Sequence, residues 1–288
     1  MAEVIQGVFP GGDGHDGALA GASAVAALNL SPEPGDTEGN LLLAERAIVA
    51  AWRSEPSLRW VVLPELFTCG YSALESVHRC AEDAERGASA RFFTGLAREL
   101  GIYIAYGFPE SIAGSGVFDS ANLVGPEGVL VTYRKRNLVR TTPEHYVFTA
   151  GTELSVVEAG GLRVSLAVCW DLGFPEIARE AALAGADLIL APAAWREPWG
   201  LQYDLSCAAR ALDSGIYVAS ANQIGVYEEA RFDTPGHIYG PDGTRVSHAA
   251  GATSIGGLDP GAPGRWRRLY GNTLEDPAIG EEPLEICS

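Results

Sequence analysis

An α/β fold with a mixed sheet is what the sequence predicts, on three observations. Short apolar runs of strand length alternate with longer segments whose apolar residues recur every three to four positions. Two turns in the middle of the chain, Gly125-Pro126-Glu127-Gly128 and Gly160-Gly161, carry the hairpin signature. No internal repeat and no linker divides the chain. Alternation of strand and helix calls for parallel neighbours, and the hairpins insert antiparallel ones. One domain over residues 23–288 is expected, preceded by a flexible Gly- and Asp-rich extension over residues 1–22.

The elements follow in order. Within the extension, Gly12-Asp13-Gly14-His15-Asp16-Gly17 satisfies a GxGxxG pattern, but its two aspartates would repel a pyrophosphate and no βαβ unit surrounds it. It reads as a loop. Ala24–Leu30 is the first strand, ended by Ser31-Pro32-Glu33-Pro34-Gly35. Asp36 or Thr37 caps a helix through Ala51. Trp60–Leu63 is a buried strand running into Pro64-Glu65. Ser89–Leu100 is a helix with Phe92, Phe93, Leu96 and Leu100 on one stripe, closed by Gly101. Ile102–Gly107 is a strand, Ala121–Val124 and Val129–Tyr133 form one hairpin, and Leu154–Val157 with Arg163–Val168 form a second. Pro175–Ala184 is a helix begun by proline, Asp187–Leu190 a strand, Gln202–Asp213 a helix and Ile216–Ala219 a strand. His237–Tyr239 and Thr244–His248 pair around Gly240-Pro241-Asp242-Gly243.

Composition narrows the function. The chain has 288 residues, 47% of them hydrophobic, and a formal net charge of −17. That is enough apolar material for a large core, and disorder is excluded as the main state. With 37 acidic against 20 basic residues, a surface that tracks nucleic-acid phosphates is excluded as well. No apolar run reaches the roughly 18 residues of a membrane span, and Met1-Ala2-Glu3-Val4 lacks the basic start of a signal peptide. A cytoplasmic protein is expected. The five cysteines (Cys69, Cys80, Cys169, Cys207, Cys287) are odd in number and show no CxxC spacing, which argues against a disulfide framework and a structural zinc site.

One residue stands apart. Nineteen of the basic residues are arginine and one is lysine, Lys135. Codon bias explains the missing lysines but not the survivor. A solvent-facing charge would be served by arginine; a site that needs a compact ammonium would not.

Three segments place a reactive group where a strand ends, the position at which open α/β sheets bind ligands. In Leu63-Pro64-Glu65-Leu66-Phe67 the carboxylate is either a solvated loop charge or a partly desolvated base. Tyr133-Arg134-Lys135-Arg136-Asn137-Leu138 is either a basic strand end or the setting of a functional ammonium. In Val164–Val168 followed by Cys169-Trp170-Asp171, the strand runs straight into a cysteine. That thiol is either a small buried hydrophobe or a nucleophile presented at a strand-to-turn junction.

Taken together, Pro64-Glu65-Leu66, Tyr133-Arg134-Lys135 and Cys169-Trp170-Asp171-Leu172-Gly173-Phe174-Pro175-Glu176 resemble the motifs of the nitrilase superfamily, the carbon–nitrogen hydrolases, in the family's order. The resemblance runs from about Ser23 to the C-terminal region and includes Asn40, Asn122, Ala209-Arg210-Ala211 and Asn222. It implies a four-layer αββα sandwich and a triad in which Glu65 is the general base, Lys135 the oxyanion stabiliser and Cys169 the nucleophile. Glu144, in Pro143-Glu144-His145, matches the family's second glutamate. The expected reaction is hydrolysis of a small carboxamide to acid and ammonia through a cysteine thioester. An N-carbamoyl amine or amino acid is the alternative substrate, and acyl transfer would use the same triad. Nitrilases tend to carry glutamate where this chain has Asp171, which disfavours a nitrile. Tyr71, Trp170 and Trp195 are expected to line the substrate pocket, with Phe118 and Tyr146 as further candidates. Cys69 is either a second pocket thiol or a packed one. No metal or organic cofactor is implied; the partners implied are a small-molecule substrate and a second copy, as a homodimer or larger assembly.

Overall fold

The computed structural model describes residues 23–269. The expected N-terminal extension, and residues 270–288 with Cys287, lie outside the described residues. The elements are β1 (Ser23–Leu28), α1 (Thr37–Ser54), β2 (Leu58–Val62), a short α2 (Val77–Cys80), α3 (Ala88–Leu100), β3 (Tyr103–Ile112), β4 (Gly116–Gly125), β5 (Gly128–Arg134) and the single turn α4 (Glu144–Val147). There follow β6 (Val156–Ala159), β7 (Leu162–Leu166), α5 (Pro175–Leu183), β8 (Leu188–Ala193), α6 (Gly200–Ser214), β9 (Tyr217–Asn222), the ribbon β10 (Gly225–Tyr227) and β11 (Ala230–Phe232), β12 (Ile238–Tyr239), β13 (Ser247–Ala250), β14 (Thr253–Leu258) and α7 (Ala262–Leu269).

Two mixed sheets form. One has the order β13-β14-β1-β2-β3-β4-β5 and the other β12-β9-β8-β7-β6. β1, β2 and β3 are parallel, as are β7, β8 and β9, while the hairpins and late strands add antiparallel edges. The period-two alternation of β1 sorts its residues between two cores. Ala24, Ala26 and Leu28 pack with Ile48 of α1 and Phe93 of α3. Val25 and Ala27 pack with Trp60, Ala105 and Ala121 of their own sheet, Leu166 and Leu190 of the other, and Ala178 of α5. The layers are therefore helix, sheet, sheet, helix, the αββα sandwich.

Most boundaries fall within three residues of expectation. Asp36 caps α1, accepting from the Gly39 N–H at 2.9 Å, and Gly101 closes α3 in the left-handed region at φ 67°. Two readings need correction. Ile102–Gly107 and Ala121–Val124 are parts of ten-residue strands, β3 and β4, paired from Ile104–Val124 to Ile112–Gly116. Pro109 looks like a breaker but stands opposite Asp119, whose carbonyl turns away to accept from Lys135 N–H at 2.8 Å. The pair is a non-hydrogen-bonded one, so the missing proline donor is not needed there. Second, β7 stops at Leu166, and Cys169 belongs to a 3-10 turn, Cys169–Gly173. The arms around Gly240–Gly243 pair as expected, with Tyr239 opposite Arg245 and Val246 N–H donating to Ile238 O at 2.9 Å. Each also adds to a longer neighbour, Ile238–Tyr239 to β9 and Ser247–Ala250 to β14.

Candidate active site

Glu65 follows β2 in a loop fixed on both sides. Gly107 N–H donates to Pro64 O at 3.2 Å, and Glu65 N–H crosses to Ala193 O of the second sheet at 3.2 Å. Strand β3 presses so closely here that a Cβ on Gly107 would lie 2.4 Å from Leu66 N and 2.7 Å from Glu65 Cα. Leu66 itself has φ 46°, a strained value for a branched residue. Asn40 braces the far end of the loop, donating to Glu33 O at 2.9 Å and Thr68 O at 3.3 Å.

Lys135 follows β5, and alternation decides its direction. The flanking Arg134 turns to Glu110 (2.6 Å) and Arg136 to Glu180 (2.5 Å), so the residue between them points inward. Its ammonium is wholly buried and donates to Glu65 Oε1 at 2.6 Å and Glu144 Oε2 at 2.9 Å. Glu144, on α4, also accepts from Val139 N–H at 2.9 Å and from the Tyr71 hydroxyl at 2.5 Å.

Cys169 opens its turn with φ 47°, again a strained backbone of the kind found where a nucleophile is presented. Asp171 holds that turn: it accepts from Val168 N–H (3.1 Å), Asn137 N–H (2.9 Å), Asn137 Nδ2 (2.9 Å) and the Tyr133 hydroxyl (2.9 Å). These bonds tie the Cys169 turn to the segment carrying Lys135. Arg210 donates to Leu172 O at 3.2 Å and secures the turn from α6.

The electrostatics are those of a buried ion cluster. Burial opposes the charge on Lys135, yet the carboxylates of Glu65 and Glu144 overcome it and hold the ammonium well above the usual lysine range. Burial, then the Glu65 charge, push the Cys169 thiol well up, against the pull of Lys135 and a hydrogen bond from the Ala194 backbone. The carboxylates of Glu65, Asp119 and Glu144 lie within 4.8 Å of one another, a grouping that elsewhere holds a metal ion. Here the ammonium fills the centre.

A cavity of about 370 Å³ opens beside Cys169, lined by Tyr71, Trp170, Ala194, Trp195 and Trp199 with Thr141, Arg196 and Gln202 among its polar members. Trp170 and Trp195 stand 5.2 Å apart between ring centroids. Asn222 fixes the Trp195 backbone, accepting from its N–H at 2.6 Å and donating to its carbonyl at 2.9 Å.

Glu65, Lys135, Cys169 and Glu144 thus meet at one place, with Tyr71, Trp170 and Trp195 around the opening. Phe118 and Tyr146 do not line the cavity: Phe118 is buried beneath the Arg134 guanidinium, 5.3 Å from its ring, and Tyr146 is exposed and rests on His145. Cys69 is a packed thiol among Leu66 and Val77. Sequence reasoning missed Asp119, Trp199, Thr141 and Arg196. The signal for Asp119 was an acid in the middle of an apolar strand, Val117–Val124.

Comparison with known proteins identifies the family. The carbon-nitrogen hydrolase family model matches residues 24–268. The chain is 36% identical over 250 residues to a protein described as a hydrolase in the pqqF 5' region of Pseudomonas protegens, covering 85% of this chain and 86% of that one. It is 32% identical to a nitrilase of Pyrococcus abyssi, covering 78% and 84%. Among solved structures, an amidase of the nitrilase superfamily from Nesterenkonia is 28% identical with a TM-score of 0.71, covering 86% of this chain and 95% of that one. A variant of that amidase shows covalent addition of the acetamide moiety of fluoroacetamide at its active-site cysteine. The chain belongs to the carbon-nitrogen hydrolase family, within the nitrilase superfamily, and is a hydrolytic enzyme.

Proposed function

We propose that the enzyme hydrolyses a small carboxamide to its carboxylic acid and ammonia, through a thioester on Cys169. The observation that carries this reading is Cys169 at a strained turn, facing the cavity with the Glu65–Lys135–Glu144 cluster beside it. A raised thiol pKa means that Cys169 rests as a thiol and needs a base at the moment of attack. Glu65 takes the proton as sulfur attacks the amide carbon. Lys135 and the Trp170 backbone N–H stabilise the tetrahedral oxyanion, each donor worth roughly 3–4 kcal/mol. Protonated Glu65 then gives its proton to the departing nitrogen, the C–N bond breaks, and ammonia leaves. Water, deprotonated by Glu65, attacks the thioester carbonyl; the C–S bond breaks and the proton on Glu65 returns to sulfur. Glu144 keeps Lys135 charged and fixed, and Tyr71 keeps Glu144 in place.

The aromatic walls of the cavity suit a flat or apolar acyl group. The covalent adduct on the cysteine of the Nesterenkonia amidase supports the thioester. The exposed Leu183 on α5 and Leu201, Leu205 and Leu212 on α6 form an apolar face that suits a second copy of the chain. The four free thiols among the described residues, Cys69, Cys80, Cys169 and Cys207, suit a reducing cytoplasm. Among the described residues, no helix is long and apolar enough to cross a membrane.

The test is ammonia release from a panel of carboxamides, N-carbamoyl compounds and nitriles, beside Cys169→Ala. Ammonia from carboxamides that vanishes in the variant supports the proposal. Release only from carbamoyl compounds or nitriles moves the enzyme to that branch, and activity that survives in Cys169→Ala overturns the mechanism. Added amine acceptors distinguish transfer from hydrolysis.

A further inference from the structure

Asp119 has no role in the mechanism above, yet it is the fourth ionisable group of the buried cluster. It sits on β4, wholly buried, with Oδ2 3.5 Å from Lys135 Nζ. That is ion-pair range but too long for a good hydrogen bond. Two of the three ammonium protons are already directed at Glu65 and Glu144. Neither oxygen of Asp119 finds a donor, and the second oxygen of Glu65, Oε2, finds none either. Buried oxygens without partners are rare and costly, the more so when charged.

The charges do not balance if every acid is ionised. Three carboxylates would share one ammonium in a site without exposure to water. Two like-charged carboxylates in contact do not both ionise there; one keeps its proton. One oxygen of Asp119 lies within 4.8 Å of one of Glu65, and a single proton between them engages Glu65 Oε2 and one of the two orphaned oxygens of Asp119. The other groups facing Asp119 from neighbouring elements are Glu144 from α4, Lys135 after β5, and Cys69 from the loop of Glu65. Among these only Lys135 is a cation, and it is shared. Burial and the Glu65 charge hold the Asp119 carboxyl well above the usual carboxylate range.

We propose that Asp119 is a neutral carboxylic acid in the resting enzyme, donating its proton in a hydrogen bond to Glu65 Oε2 and so positioning the base. Lys135 holds one oxygen of Glu65 and Asp119 the other, so the carboxylate plane is fixed from both ends. Its remaining lone pairs are free to take the thiol proton. Asp119 keeps its own proton throughout; it is a positioning residue, comparable to other buried carboxyl groups held neutral so that they can donate.

The inference rests on Glu65 being the base, and the test separates the two. Alkylation of Cys169 by iodoacetamide, read by mass spectrometry from about pH 5 to 9, needs no substrate. It is run on the wild type, Glu65→Gln, Asp119→Asn and Asp119→Val. Slower alkylation in Glu65→Gln upholds the base; an unchanged profile removes that reading and leaves the Asp119 proton to be judged by infrared spectroscopy. The amide of Asp119→Asn still donates to Glu65, so its profile follows the wild type within about threefold. Asp119→Val loses the donor, and the acid limb moves up by about one pH unit, with alkylation on that limb about tenfold slower. If Asp119 were ionised, both variants would remove a negative charge beside Glu65 and both limbs would move down, which overturns the proposal. Profiles like the wild type in both variants also overturn it. The second readout does not depend on a folded variant: the wild type at pH 7 is expected to show a carboxylic-acid C=O stretch in the infrared. A spectrum without that band refutes the neutral Asp119.

Discussion

Replacing Lys135 by methionine keeps most of the side-chain volume and removes the charge, so packing hardly enters the comparison. What is lost is a wholly buried ammonium with hydrogen bonds of 2.6 Å to Glu65 and 2.9 Å to Glu144. Hydrogen bonds to charged groups are worth roughly 1.5–3 kcal/mol each. Removing one partner of a buried ion pair costs about 3–5 kcal/mol, because the other charge stays behind without compensation. Both routes lead to a destabilisation of about 4 kcal/mol at neutral pH, and for a domain of this size the melting temperature falls by roughly 10 °C. The sign with pH is fixed by linkage. Without the ammonium the folded variant relieves its carboxylates by binding protons, as Asp119 is already inclined to do. It then holds more protons than the unfolded chain, so its deficit is full at pH 8 and shrinks toward pH 5. The assay is differential scanning calorimetry of both proteins at the two pH values. Amidase activity, measured alongside, falls roughly 10²–10³-fold through loss of an oxyanion donor. A variant that melts within a degree of the wild type at pH 8, with no change in the gap at pH 5, would refute the buried ion cluster.

Three further outcomes are expected. Gly107→Ala forces a methyl group against Leu66 N and Glu65 Cα, so kcat drops at least tenfold while the circular dichroism spectrum keeps its shape; an unaffected kcat would show that the Glu65 loop does not depend on this approach. Tyr71→Phe deletes the hydroxyl donated to Glu144 at 2.5 Å, and steady-state kinetics should show a loss of about tenfold, corresponding to roughly 1.5 kcal/mol for a hydrogen bond to a charged group. Leu205→Glu on the exposed face of α6 is expected to lower the mass seen by light scattering if that face joins two copies, and an unchanged mass would place the interface elsewhere.

The parts of the fold that could be read in the sequence are those written in local signals. Asp36 at the start of α1 and Gly101 at the end of α3 are such cases: a side-chain oxygen and a left-handed glycine act within a few residues of themselves. The length of β3 could not be read, because the harmlessness of Pro109 depends on which pleat position it occupies opposite Asp119, a fact of register between strands. The same holds at the site. Lys135 was visible through its solitude in composition and Cys169 through its place at a strand end. Asp171 was legible only as a neighbour of Cys169, whereas three of its four donors come from Asn137 and Tyr133 across the fold, the fourth being Val168 in its own turn. Asn40, Asn122 and Asn222 were picked out by resemblance alone. Their purpose emerges from three dimensions: Asn40 and Asn222 bind backbone carbonyls of segments that hold Glu65 and Trp195, and Asn122 ties β4 to the loop of Ala84.

Glu65, Asp119 and Lys135 ride on one sheet and Cys169 on the other. In the proposed mechanism the gap that the thiol proton crosses is therefore a spacing between layers, set by whatever fills the seam. Ala27, Ala105 and Ala121 occupy part of the first sheet's side of that seam, beside Val25 and Trp60, so single methyl groups help to gauge the distance. A valine at one of them would act as a shim inside the core. A misplacement of about 1 Å is enough to slow a reaction about a hundredfold, so reaction rate in this enzyme serves as a ruler for the width of its own core.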